Sequence, residues 1–387
     1  MTAAPGDGRP MLEGMKVVDL TTVVFGPYCT QILCDYGAEV IKVEAPGGDV
    51  LRYSARPAQT LGMAPSFIAL NRGKKSLVLD LKQEEDAEIL RNLLREADVF
   101  VHNVREEAIE RLGFGYEAVK ALKPDIIYTH CVGFGSTGPY AGLQAYDDVI
   151  QAATGTTTLL SRVDGDPRPR YLPSLIADKV AGLHAAYAVL AAVIHRLRTG
   201  EGQQVEVPML ESFTSFMMKE HLGGTTFDPP VGDAGYARQV DPNRQPFQTS
   251  DGWISIVPYT PQQFPLVVGL LGDPEFARQE RFASVQGIAA AGPELYAKIA
   301  ERVQKLSSEE AIAILRDNNI PCMPVVDLAN VIDDPHLRET DFFVRGEHPS
   351  EGALFQMRDP NRYSGWQPDD PAHAPRLGEH DDEFRKS

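Results

Sequence analysis

Apolar residues in the first third of the chain fall into short runs separated by segments of helical spacing. The runs MKVVDL (15–20), EVIKVE (39–44), SLVLDL (76–81), DVFVHN (98–103) and DIIYTHC (125–131) predict buried strands. Between them, PYCTQILCDYGA predicts a helix ending near Gly37, while EEDAEILRNLLREA and YEAVKALK carry apolar residues at helical spacing. Strands alternating with helices predict crossover connections and a parallel, doubly wound, Rossmann-like sheet. From Asp178 to Arg198 the chain is apolar almost all round, which predicts a helix buried in the core or at an interface. TGEGQ breaks that helix, and QVEVPML predicts a further strand.

The pattern changes after residue 222. Gly and Pro crowd residues 223–246, as a linker would require. WISIVPY predicts a strand, YAKIAERVQKL and EEAIAILRDNN predict helices, and IPCMPVVDL predicts a strand re-entry. The tail from Pro360, rich in Pro, Asp and His, is expected to wrap a surface. The expected division is a disordered tail over 1–10, a large Rossmann-like domain over 11–222, the linker over 223–246, a smaller α+β domain over 247–335 and a C-terminal segment over 336–387. The fold class is α/β.

Composition narrows the function. A chain of 387 residues exceeds one ordinary core, and 43 % apolar with 24 % charged residues is a soluble globular profile. MTAAPGDGRP has no charged start followed by an apolar stretch, so no signal peptide is expected. The longest apolar run reads as too short for a membrane span, and a cytoplasmic protein without a membrane partner is the expectation. Cys29, Cys34, Cys131 and Cys322 form no metal-ligand or disulfide framework. A net charge of −17 argues against nucleic acid, whose affinity comes from phosphate neutralisation. An anionic ligand would need a local basic pocket in this repulsive field. Arg72, Lys74 and Lys75 in NRGKKS, with Arg105 and Arg111 further on, offer one, although such a cluster also reads as a solvated loop. After the first strand the chain runs TTVVFGP where a nicotinamide-binding turn needs GxGxxG, which speaks against a dehydrogenase. Asp178 directly precedes the apolar helix, where an aspartate serves as N-cap. The helix dipole at that end favours an ionised carboxylate.

Several segments together, in order, resemble the family III coenzyme A transferases, a family that also includes the α-methylacyl-CoA racemases. They are LEGMKVVDLTTVVFGPYCTQILCDYGAEVIKVEAPGGD, NRGKKSLVLDLK, ADVFVHNVREEAIERLGFGYE, IIYTHCVGFGSTGPYAG, AYDDVIQAATG, ADKVAGLHAAYAVLAAVIHRLRTGEGQQVEVPMLES, SDGWISIVPYT and PRLGEH. The resemblance covers residues 12 to about 380. It implies a large Rossmann-like domain joined by linkers to a smaller one, a C-terminal segment returning to the large domain, and an interlocked homodimer. It implies CoA transfer between an acyl-CoA and a free carboxylic acid, with no permanently bound cofactor and the CoA thioester as substrate. Asp178 would be the covalent nucleophile, passing through an acyl-aspartyl anhydride and an aspartyl-CoA thioester. Val24, Phe25, Arg72, Lys75, Asn103, Val104 and Arg111 fall where the family holds CoA, and Tyr146 falls beside the acyl end, with Tyr28 as a further acyl-pocket candidate.

The chain departs from the family at two places. Arg105, Glu106 and Glu107 stand where many members have Arg-Pro-Gly, and QVDPNRQPF (239–247) lacks the glycines of an active-site loop. Arg244 in that stretch is a candidate for a substrate carboxylate. Three rival readings remain: a racemase of the same family, a non-catalytic acyl-CoA-binding protein, and a nicotinamide enzyme. A racemase needs an acid/base pair. Tyr146 replaces the expected histidine in AYDDVI, and His184 is the other partner to consider for Asp178.

Overall fold

The structure is a computed structural model that describes residues 8–385. Most of the tail expected to be disordered, residues 1–7, lies outside the described residues. The chain divides into two compact units: Met1–Thr157, Tyr171–Lys219 and Pro335–Ser387 form the first, Thr158–Arg170 and Glu220–Asp334 the second. Residues 223–246, read from sequence as a linker, thus belong to the second unit, as do residues 158–170.

The first unit is built on six strands, β1 (Lys16–Leu20), β2 (Glu39–Glu44), β3 (Lys75–Val78), β4 (Val99–His102), β5 (Ile127–Val132) and β6 (Gln203–Pro208). All pair in parallel, in the order β3-β2-β1-β4-β5-β6. The central strands are near-continuous apolar runs because helices cover both faces of the sheet. Val18 lies opposite Ile41 on one side and Phe100 on the other, all three buried. The chain leaves β1 toward β2 and later returns to β4 on β1's other flank, which opens a crevice at the C-terminal ends of β1 and β4. Open α/β sheets bind ligands at such a point. C-terminal residues cover the exposed edge of β3: Ser76 N–H donates to His380 Nδ1 (3.2 Å) and Val78 N–H to Asp381 Oδ1 (2.8 Å).

Three helices matter for the site: α1 (Phe25–Asp35), α2 (Asp147–Ala153) and α3 (Ile176–Thr199). α3 ends at Gly200, whose φ of 77° makes the left-handed turn that closes helices. It packs tightly on α1 at Gly182. A Cβ there would stand 2.9 Å from the Phe25 carbonyl oxygen and 3.0 Å from the Tyr28 ring. The all-round burial expected of this helix is not observed in the single chain. Ala181, Gly182, Ala185, Val189 and Val193 are buried, but Leu183, Tyr187, Ile194 and Leu197 form an exposed stripe. By length and composition alone α3 could cross a membrane, so the sequence reading of every apolar run as too short is corrected. The antiparallel hairpin Phe343–His348/Gly352–Met357 was not foreseen.

The second unit has its own core. Three antiparallel strands, β7 (Phe247–Gln248), β8 (Trp253–Ile256) and β9 (Cys322–Pro324), pack with helices over Ile254, Val267, Leu295, Ile299 and Leu315. The helix Ser308–Asp317 starts with a reciprocal capping box between Ser307 and Glu310.

Candidate active site

The crevice at the sheet's switch point contains a cavity of about 300 Å³, with walls that include Thr22, Val23, Asn103, Val104, His130 and Tyr146. Asn103 ties its two sides together. Its Oδ1 accepts from Thr22 N–H (3.0 Å) and its Nδ2 donates to the Thr22 carbonyl (2.9 Å). Val23, in the turn where a nicotinamide enzyme would carry glycine, has a φ of 71°. A β-branched residue in that region is strained and persists only where its surroundings hold it. Here the Asp49 carboxylate holds the Val23 N–H, at 3.1 and 3.2 Å. The loop GFGSTGP forms another wall. Glu211 accepts from Gly135 N–H and Glu206 from Ser136 N–H, each at 3.1 Å. A Cβ on Gly133 would meet the Ala145 Cβ at 2.3 Å, so glycine is required there.

Next to Tyr146 on this wall begins α2, and its first residue organises the nucleophile candidate. Asp147, buried, accepts through Oδ1 from the N–H groups of Ala177 (2.7 Å) and Asp178 (3.1 Å). Gln151 donates to its Oδ2 (2.6 Å) and to the carbonyls of Leu172 and Ser174, fixing the approach to α3. Asp178 is therefore the third residue of α3 rather than its cap, and a carboxylate from another helix takes the capping role. The expected preference for the ionised form is also corrected. Burial, and secondarily the charge of Asp147, push the Asp178 carboxyl up to about 7. The end of α3 already serves one carboxylate, and Asp178, 7 % exposed, accepts no hydrogen bond from any described residue. A basic, uncompensated carboxylate can act as nucleophile or proton acceptor.

The other sequence-selected residues separate into two groups. Asn103, Val104 and Tyr146 share the cavity, Tyr146 with 63 % exposure. Val24 and Phe25 are buried at the start of α1, and Phe25 and half-buried Tyr28 pack against Gly182, one turn beyond Asp178 on the same face of α3. Arg72, Lys75 and Arg111 do not line the cavity. Arg72 pairs with Asp35 (2.6 Å), Lys75 lies between Glu39 (2.7 Å) and Glu383 (2.5 Å), and Lys74 is buried on Asp19 (3.0 Å). Arg111 is exposed. Arg72, Lys74 and Lys75 are thus already matched with carboxylates, whereas Arg105 lines the cavity. Thr22, Val23, His130 and Asp147 were missed. The first two occupy the turn after the first strand, where the switch-point rule places ligands, and Asp147 opens a helical pattern.

Other reactive side chains are quiet. Burial pushes the Cys34 thiol up to about 12 and raises Cys29 and Cys131, so none is a poised thiolate. Burial lowers His102 and His130, which stack at 4.3 Å and stay neutral. His184 hydrogen-bonds Tyr187. It lies six residues beyond Asp178, roughly 9 Å along the helix and about 240° around it, so the two do not form a facing acid/base pair.

Known proteins resemble the whole chain. It is 30 % identical to a succinate–glutarate CoA-transferase of Agrobacterium fabrum, over 98 % of this chain and 96 % of that protein. It is 31 % identical to a formyl-CoA:oxalate CoA-transferase of Escherichia coli, covering 95 % and 93 %. Among solved structures, a CaiB/BaiF family protein from Brucella suis superposes with a TM-score of 0.83 at 32 % identity, over 97 % of this chain and 98 % of the other. The CoA-transferase family III model matches residues 12–381, and the chain belongs to that family.

Proposed function

We propose that the protein transfers CoA between an acyl-CoA and a free carboxylic acid, with Asp178 as covalent nucleophile. The observation that carries this reading is the Asp178 carboxyl: buried, without a cation among the described residues, raised to about 7, and joined through Asp147 to the wall of the switch-point cavity. The ionised carboxylate attacks the thioester carbonyl, forming an acyl-aspartyl anhydride and expelling CoA thiolate. The thiolate attacks the aspartyl carbonyl, releasing the first acid as carboxylate and leaving an aspartyl-CoA thioester. The incoming carboxylate attacks that thioester and again expels thiolate, which then opens the second anhydride at its acyl carbonyl and regenerates Asp178. Each tetrahedral intermediate carries an oxyanion that needs hydrogen-bond donors. CoA would use the cavity lined by Thr22, Val23, Asn103 and Val104. The exposed stripe of Leu183, Tyr187, Ile194 and Leu197 supports a homodimer that covers it. Relatives named for succinate, glutarate and oxalate favour short acids as substrates.

The test is hydroxylamine trapping after incubation with a panel of acyl-CoAs in D₂O, read by peptide mass spectrometry. A hydroxamate on Asp178, absent from Asp178→Ala, is expected. Deuterium at the acyl α-carbon with no mark on the protein would instead establish the racemase reading.

A further inference from the structure

The second unit holds a small cavity of about 110 Å³ lined by Arg238, Arg244, Ser255 and Tyr296 beside the apolar walls of Ile256 and Pro258. Both arginines are half-buried, and among the described residues neither has a carboxylate within ion-pair distance. Each guanidinium is steered by a neutral acceptor: Arg238 donates to the Pro258 carbonyl (3.3 Å), and Arg244 to the Gln239 amide oxygen. Arg238 also lies over the Tyr259 ring, 5.7 Å from its centre, and no other described residue hydrogen-bonds either fork. Half-buried Tyr296 lines the same cavity as both guanidiniums. The Asp241 carboxylate accepts within its own loop, through Oδ1 from the Asn243 N–H (2.8 Å) and side-chain amide (3.0 Å). Two half-buried arginines, unpaired with any described carboxylate, thus share one cavity in a chain of net charge −17.

We infer that Arg238, Arg244 and the Tyr296 hydroxyl form a carboxylate-binding subsite for a small organic acid. Guanidinium forks match a carboxylate geometrically. The cavity admits that group and little more, and its apolar walls suit a hydrocarbon stem rather than an inorganic ion. The acid is either the co-substrate, in which case the inference rests on the transferase reading above, or a separate effector of the same chemistry.

Isothermal titration of the full-length protein with glutarate, at fixed ionic strength and with inorganic phosphate in parallel, tests it. Saturable glutarate binding is expected, weakened about 10-fold or more in Arg238→Gln and in Arg244→Gln. Arg278→Gln, at an exposed arginine of the same unit outside the cavity, should bind as wild type. Absence of saturable binding, wild-type affinity in both cavity variants, or phosphate binding as tightly as glutarate would each overturn the subsite. Given the expected binding, a raised KM for the acid in the variants identifies the co-substrate, and an unchanged KM identifies an effector. The two proposals fail separately. Transfer at wild-type KM without any glutarate titration removes the subsite alone, whereas glutarate binding by a protein that transfers no CoA removes the transferase reading alone.

Discussion

Asp19 and Asp178 are both buried in the first unit, at 0 % and 7 % exposure, yet their surroundings differ in nearly every respect. Asp19, near the end of β1, accepts from the Thr21 N–H (3.0 Å), the hydroxyls of Thr21 and Thr30, and the Lys74 ammonium (3.0 Å). It belongs to a buried ionic network that continues through Lys42–Asp49 (3.1 Å) and Arg52–Glu44 (2.7 Å). Burial alone would raise its carboxyl, but Lys74, Lys42 and the hydroxyls outweigh burial and hold it at about 2. At Asp178 nothing opposes burial, and Asp147 adds to it. A buried carboxylate with partners ties elements together, whereas one without partners stays reactive.

Removing each carboxylate gives the largest effects and the sharpest test of this contrast. Asp178→Ala should lower CoA transfer by about 10³-fold or more, the scale of losing a covalent nucleophile, without loss of thermal stability. Asp19→Ala should cost roughly 3–5 kcal/mol in urea unfolding, because Lys74 loses its counter-ion in the interior. If Asp19→Ala proved neutral, or Asp178→Ala retained transfer, the distinction would collapse.

Titration should separate the two aspartates in opposite directions. Folding raises the Asp178 carboxyl from its ordinary 3.8 to about 7. The folded state therefore binds this proton more tightly than the unfolded state. The resulting stability is complete below about pH 4 and is lost as pH rises through about 7. Asp178→Asn carries no such charge, so it should exceed wild type by roughly 1–4 kcal/mol at about pH 8 and by nothing near pH 4. Asp19 is lowered, so its contribution is present above about pH 4 and disappears as pH falls toward 2. Because the carboxylate form of Asp178 reacts, kcat/KM should rise with pH to a plateau, with a midpoint near 7.

The sheet was legible because its strands are apolar runs of the right length alternating with helices, and β2 was read to the residue. The nucleophile candidate was legible through the family's ordered segments. Its environment was not. Nothing local in ADKVAG says that Asp147, 31 positions earlier, takes the helix-capping role and leaves Asp178 bare. The partners of the basic run NRGKKS were illegible for the same reason, since Asp35, Glu39, Glu383 and Asp19, which match its charges, lie far away in sequence. The hairpin at 343–357 did leave a signal in the turn residues PSEG between its strands, with Gly352 at φ 75°, in a segment left without an element.

A smaller effect probes how Asp178 is positioned. Gly182→Ala would push a methyl group to 2.9 Å from the Phe25 carbonyl oxygen, which is backbone and cannot swing aside. Separation of α1 from α3 should cost about 1–3 kcal/mol and lower transfer, read by urea unfolding together with steady-state rates. A variant of unchanged stability and rate would mean that the helix contact does not hold the Asp178 turn in place.

The smallest effect joins the two regions, because Asp49 of the ionic network holds the strained Val23 that lines the cavity. Val104 is a second half-buried valine on the same cavity, without the positive φ of Val23. Replacing either by glycine loses packing and adds roughly 0.5–1 kcal/mol of backbone flexibility in the unfolded chain. Only at Val23 does glycine also relieve strain of about 1–3 kcal/mol. Val104→Gly should therefore destabilise by about 1–3 kcal/mol more than Val23→Gly, with the latter within ~1 kcal/mol of wild type. Equal losses at the two positions would mean that the turn after β1 is unstrained and that Asp49 merely satisfies an N–H. A nearly silent Val23→Gly would place the strain at the mouth of the proposed CoA cavity, held there by Asp49, whose ion-pair partner Lys42 also lowers Asp19.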